Sequence, residues 1–200
     1  MERKVERKVE RKVENSGKSK LKISIDKDSI HKHIDKKVFN ICLEMLEQRN
    51  YKSIKMHNKL NFIVNKGKDI YALLTFSLEP KINIENIQKY IFNMTSLNIK
   101  HIIIIYKKGI TSFTQKTINQ CYGKKFELIK ESTMKFNITK HILQPIFKRL
   151  TQKEKVEFNK KYRNIPIIRK EDPISRFYDY QKNDIIMIKR NDDISYRIVK

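Results

Sequence analysis

Four consecutive isoleucines, Ile102–Ile105, followed by Tyr106, set the strongest limit on how this chain folds. Successive side chains of a strand point to opposite sides, so a run with no polar member must be covered on both faces. That demands a sheet layered by helices, with this strand near its middle. The flanking sequence supplies those layers. Ile84, Ile87, Ile91 and Met94 recur at helical spacing before the run, and Thr111 is placed to cap a helix carrying Phe113, Thr117, Ile118 and Cys121 after it. Phe126–Ile129 reads as a further strand. Upstream, Val38, Ile41, Cys42, Met45 and Leu46 mark an amphipathic helix from near Asp35 to Arg49-Asn50. Asn61–Val64 and Ile70–Phe76 read as strands joined by a turn at Lys66-Gly67-Lys68. The alternation of strand and helix predicts an α/β layer with right-handed crossovers.

The pattern changes near residue 133. Thr151 and Glu154 have capping-box spacing and open a helix that runs through Tyr162. Ile165–Ile168 is a short extended piece. Asp172-Pro173 starts a brief helix, with Asp as the cap and Pro where no N–H is needed. Asp184–Lys189 and Ile194–Val199 read as a hairpin around Arg190–Asp193, its last strand tying residue 200 into the fold. The expected organisation is a basic tail over 1–26, an α/β domain over 27–133 and a small α+β domain over 134–200. In the tail, ERKV occurs three times between residues 2 and 14. A four-residue repeat outruns the helical turn, and its like charges four apart weaken a lone helix, so flexibility is expected.

The formal net charge is +23. Such an excess favours polyanions, chiefly nucleic acid, although heavy use of Lys, Ile and Asn would raise it without any partner. No apolar stretch approaches the roughly 20 residues of a membrane helix, and the charged N-terminus is unlike a signal peptide. A soluble intracellular protein with no membrane partner is expected. Cys42 and Cys121 both fall in helical patterns and read as free, buried thiols.

Chemistry-bearing motifs are sparse. Asp69, Glu79 and Lys81 match the Asp…Glu-x-Lys order of restriction-type nucleases, where acids hold a divalent metal; Pro80 interrupts the strand that this reading needs. His31 and His33 lack accompanying ligands at metal-site spacing, while His57, His101 and His141 are scattered, His141 reading as a structural hydrogen-bonder. With four glycines there is no phosphate-cradling loop. No catalytic residue, metal or cofactor is expected.

The ordered series Phe136–His141, Pro145, Leu150-Thr151, Ile165-Pro166-Ile167, Asp172-Pro173-Ile174-Ser175-Arg176-Phe177, Ile185–Lys189 and Tyr196-Arg197 resembles the C-terminal domain of RNA polymerase subunit 5, a domain shared with the archaeal counterpart of that subunit. Residues 35–133 resemble, more loosely, the N-terminal jaw domain of eukaryotic members, through Glu79-Pro80-Lys81, the Ile102–Tyr106 strand and Gly109-Ile110-Thr111. Archaeal members lack that domain, which points to a eukaryote or a large DNA virus. Three departures stand out: Thr111-Ser112-Phe113-Thr114 lacks the family's Pro, Phe147 replaces a His, and Asn183 replaces a Gly.

The resemblance implies an α/β jaw domain with a nuclease-like sheet and flanking helices, followed by a small α+β assembly domain. It implies a non-catalytic subunit that docks on the largest polymerase subunit and supports the jaw beside downstream duplex DNA. The expected assembly residues are Pro145, Pro166, Ile168, Pro173, Arg176, Phe177, Tyr178, Tyr196 and Arg197. Lys107, Lys108, Thr111, Ser112 and Lys116 are expected near DNA. A cellular member belongs in the nucleus, and a viral one in the virion and host cytoplasm. The rival reading is a free-standing basic nucleic-acid-binding protein.

Overall fold

The structure, a computed structural model, describes residues 21–24, 34–191 and 193–200. The ERKV repeat, His31 and His33 lie outside them. The first sheet has six strands: β1 (Lys22–Ser24), β2 (Ser53–Asn58), β3 (Asn61–Asn65), β4 (Tyr71–Phe76), β6 (His101–Tyr106) and β8 (Lys125–Lys130). They lie in that order. β2, β3 and β4 form an antiparallel meander, while β4, β6 and β8 run parallel. Helix α1 (Lys36–Gln48) covers one face; α2 (Ile84–Ser96) and α3 (Ser112–Gln120) cover the other. A two-stranded piece, β5 (Lys81–Ile82) with β7 (Gly109–Ile110), closes one end.

The isoleucine run behaves as its composition requires. Ile103 and Ile105 enter the core under α1 beside Phe39, Phe62 and Phe76, while Ile102 and Ile104 enter the opposite core beside Ile87, Met94 and Ile118. All four are 0–1% exposed. The helix ends form as the local sequence dictates. Asp35 accepts from Lys37 and Val38 N–H, and Asn83 forms a reciprocal box with Asn86.

The second sheet is smaller. Its order is β10 (Ile167–Ile168), β12 (Asp193–Val199), β11 (Ile185–Arg190), β9 (Ile146–Arg149). β11 and β12 are the expected hairpin, and β12 is an interior strand with Val199 fully buried. Helix α4 (Gln152–Lys161) opens on the Thr151–Glu154 box, and α5 (Pro173–Tyr178) opens on the Asp172 cap with Pro173 in its first turn. Asn183 takes φ 69°, the left-handed region its glycine-like position needs.

Several expectations are revised. Lys22–Ser24, assigned by sequence to the tail, pair in parallel with Ser53–Lys55, because the β2 edge leaves backbone groups to satisfy. On α3, Phe113 is 66% exposed, and Thr114 faces the core instead. Thr114 is tolerated there because its hydroxyl bonds that of Thr111 at 2.7 Å. Cys121 ends the same helix half-buried rather than buried. Met134 and Phe177, both beyond the expected boundary at 133 and 134, pack into the cluster under α1.

Candidate assembly groove and nucleic-acid edge

A buried polar hub fixes the second sheet to the first. Arg49 sits at the end of α1, on the apolar face that carries Cys42 and Met45, and is 5% exposed. It donates Nε to Phe177 O and Nη2 to Arg176 O, each at 2.7 Å, and Nη1 to Glu127 at 2.8 Å. Glu127 also meets His101 Nε2 at 2.6 Å and Lys125 Nζ at 3.7 Å. Lys125 in turn pairs with Asp179, the left-handed residue that caps α5. Burial opposes charge on Glu127, but Arg49, the His101 hydrogen bond and Lys125 outweigh it and hold the carboxyl well below its usual range. Nothing in the local sequence marks Arg49 as buried except its place on that apolar helix face.

Beyond this joint, four of the expected assembly residues meet. Pro145, Ile168, Pro173 and Arg197, drawn from four separate segments, line one groove of about 490 Å³ with Phe147 and Ile188. Apolar side chains make its floor. Asp172, Arg190, Asp193 and Arg197 line it too, so the groove mixes apolar and charged side chains, as an interface does. The other five lie elsewhere. Pro166 is exposed, and its carbonyl accepts from Ile198 N–H. Phe177 is 5% exposed and turned into the core under α1. Tyr178 is half-buried and stacks on Tyr180 with centroids 5.4 Å apart. Arg176 is exposed on α5, away from the groove. Tyr196 packs on Phe158 of α4 at 4.5 Å; strand alternation puts it on the face opposite Arg197. The sequence marked Phe147 only as a replacement for the family's His and did not mark Ile188 as an interface residue; the two lie on adjacent strands and meet in the groove.

The lysine turn lies at the other end of the molecule's first sheet. Lys107 and Lys108 are exposed between β6 and β7. The turn is anchored by Lys108 N–H to Pro80 O at 3.0 Å and Thr111 N–H to Ile82 O at 3.2 Å. Thr111 caps α3 through Thr114 N–H, so Ser112 opens the helix and Lys116 follows one turn later, both exposed. Two lysines therefore sit beside a helix N-terminus, an arrangement suited to phosphate.

The nuclease arrangement does not assemble. Asp69 lies in the turn before β4, and Glu79 follows the far end of that strand. Six strand residues alone span roughly 20 Å, too far for shared ligation of one ion. His101, Glu127 and Asp179 bring possible ligand atoms within 4.8 Å of one another. Arg49 and Lys125 already neutralise both carboxylates, and their charges oppose a further cation there. His57 is exposed; His141 accepts from Leu143 N–H through Nδ1, as its structural role required. Burial pushes the Cys42 thiol up to about 12. No helix among the described residues is long and apolar enough to cross a membrane.

Residues 136–200 match the family model described as RNA polymerase Rpb5, C-terminal domain. The chain is similar to "Putative DNA-directed RNA polymerase subunit 454R" of Invertebrate iridescent virus 6, at 31% identity over 183 residues, covering 82% of this chain and 98% of that protein. It is 25% identical over 177 residues to "DNA-directed RNA polymerases I, II, and III subunit rpabc1" of Dictyostelium discoideum, covering 78% and 90%. These matches extend well beyond the C-terminal sheet into the first. Fold and likeness define a non-catalytic subunit of a multisubunit transcribing enzyme. The chain belongs to the RNA polymerase subunit 5 family.

Proposed function

We propose that this subunit docks on the largest polymerase subunit through the Pro145–Ile168–Pro173–Arg197 groove and supports the downstream-DNA jaw through its first sheet. The convergence of those four residues carries the reading. They are distant in sequence, were expected at an interface on motif grounds, and share one concave surface with an apolar floor. Exposed Lys107 and Lys108 beside the α3 N-terminus support the second half of the proposal. Their contacts position duplex DNA through phosphates without reading its sequence. No chemical step is assigned to any side chain of this chain. The iridescent-virus relative supports a viral enzyme, whose subunit would belong in virion and host cytoplasm; the subunit of a cellular enzyme would belong in the nucleus.

Affinity purification of the tagged full chain tests the reading. The two large catalytic subunits should accompany it, and Arg197→Glu should reduce their recovery without unfolding the protein. Full recovery with Arg197→Glu would remove the groove from the interface.

A further inference from the structure

The outer edge of β9 borders a second concavity, and the two features point to one kind of occupant. β9 is the last strand of its sheet and, among the described residues, pairs only with β11. Leu150 N–H donates to Ile185 O at 2.9 Å. Antiparallel pairs alternate between bonded and non-bonded, so the register Arg149↔Ile186 and Phe147↔Ile188 is the non-bonded set. Phe147 and Arg149 therefore direct their N–H and C=O outward, away from β11. All four β9 residues line a cleft of about 530 Å³, together with Tyr51, just before β2, and Lys66, just after β3.

The cleft is basic. Lys66, Lys140, Lys148 and Arg149 line it. Three of them share a carboxylate of this chain: Lys140 with Glu44, Lys148 with Glu154 and Arg149 with Asp184. These cations are 63%, 56% and 42% exposed, so the pairs are weak and open to exchange. Lys66 has no carboxylate within salt-bridge distance among the described residues and rests over the Tyr51 ring at 5.5 Å. Burial, then the charges of Arg149 and Arg49, lower its pKa; Asp179, which also lines the cleft, opposes this without reversing it. Ile146, on the cleft wall, is 66% exposed, and Ile142 and Leu143 beside it are 93% and 79% exposed.

We infer that the β9 edge and its basic cleft form a docking site for an extended acidic polypeptide segment, added to the sheet as a fifth strand. Backbone groups at Phe147 and Arg149 fix its register, its carboxylates meet Lys66, Lys148 and Arg149, and its apolar residues cover Ile146 and Leu143. A polypeptide fits better than a nucleotide. The outward N–H and C=O groups of Phe147 and Arg149 can pair with a peptide backbone, which a nucleotide does not supply, although Phe147 and Tyr178 also bring aromatic rings to the cleft. The site shares the Pro145 and Phe147 rim with the groove assigned to the largest subunit but does not depend on that assignment.

The test uses the full chain and a fluorescent peptide alternating Glu with Val. Comparison probes replace Glu by Lys, or Val by Pro, and a short oligothymidylate stands for nucleic acid. The expected result is binding of the Glu-Val peptide alone, with slowed amide exchange at Phe147 and Arg149. Lys66→Glu, or Lys66→Gln if the first disturbs folding, should weaken binding, the former about tenfold. Arg149→Pro should bind about fivefold less than Arg149→Ala, the scale of one missing backbone hydrogen bond. Equal binding of the Lys-Val peptide, unprotected amides at Phe147 and Arg149, or displacement of the peptide by oligothymidylate would overturn the inference. Incorporation into the polymerase is a separate readout, so failure here leaves the groove untouched.

Discussion

Arg49 and Glu127 are 78 positions apart, yet their side chains meet at 2.8 Å with only 2% and 11% of their surfaces exposed. The pair sits where α1, β8 and the end of α5 converge, so it bears on both sheets at once.

Arg49→Met should destabilise the protein by roughly 3–5 kcal/mol, because Glu127 and two carbonyls lose their buried partner. Arg49→Met combined with Glu127→Gln should lose less than the single change, since no buried charge is then stranded. Denaturant titration of the three proteins checks this. Additive losses would show that the two side chains do not act as a unit.

Acid should weaken the same joint. The folded pKa of Glu127 lies below the roughly 4.3 of an unfolded chain. Between those values the unfolded state binds more protons, so stability rises with pH there. The contribution is complete above about pH 5 and drains away as pH falls through the folded value. A plot of melting midpoint against pH should be flatter for Glu127→Gln on its acid side. Parallel curves would assign the acid sensitivity elsewhere.

Phe177→Ala and Arg197→Glu should part company. Phe177 is core, so its truncation should cost about 3–5 kcal/mol of stability. Arg197 is exposed on β12, so its reversal should stay within about 0.5 kcal/mol while reducing incorporation into the polymerase. Calorimetry alongside pull-down separates the two, and the reverse pattern would exchange their roles.

Changing Lys107 and Lys108 to Glu should spare assembly and weaken duplex DNA binding, most visibly at low salt. The slope of log affinity against log salt should fall by about one for each phosphate that is no longer neutralised. An unaltered slope would take this turn off the DNA path.

The two thiols should differ in reactivity. Cys121 is half-exposed and should be modified first by a thiol reagent. Cys42, wholly buried with its pKa raised, should react only on unfolding. Simultaneous loss of both thiols in native buffer would contradict the packing around α1.

What could be read in advance follows from how far each signal reaches along the chain. Ile102–Ile105 reveal a central strand because their own composition admits no other environment. The Thr151–Glu154 box, the Asp172 cap and the Asn183 turn are equally local. β1 and β9 are edge strands, and β2 lies next to one; their partly solvated residues, such as Lys55 and His57, show no clean period and escaped notice. Arg49 looked like an ordinary basic helix end; its partners are 78, 127 and 128 residues away. The same limit applies to the docking residues. Motif order identified Pro145, Ile168, Pro173 and Arg197 together with Phe177 and Tyr196, but only the pleat of β12 and the rotation of α5 decide which of them turn outward.

Phe177 is the side chain that α5 lends to the neighbouring core. Hinged proteins bend along a wet seam whose two banks part without exposing oil. Here one bank has its aromatic peg driven into the other, and levering them apart would strip that peg bare. Bending at this seam therefore carries the penalty of wetting a buried aromatic ring.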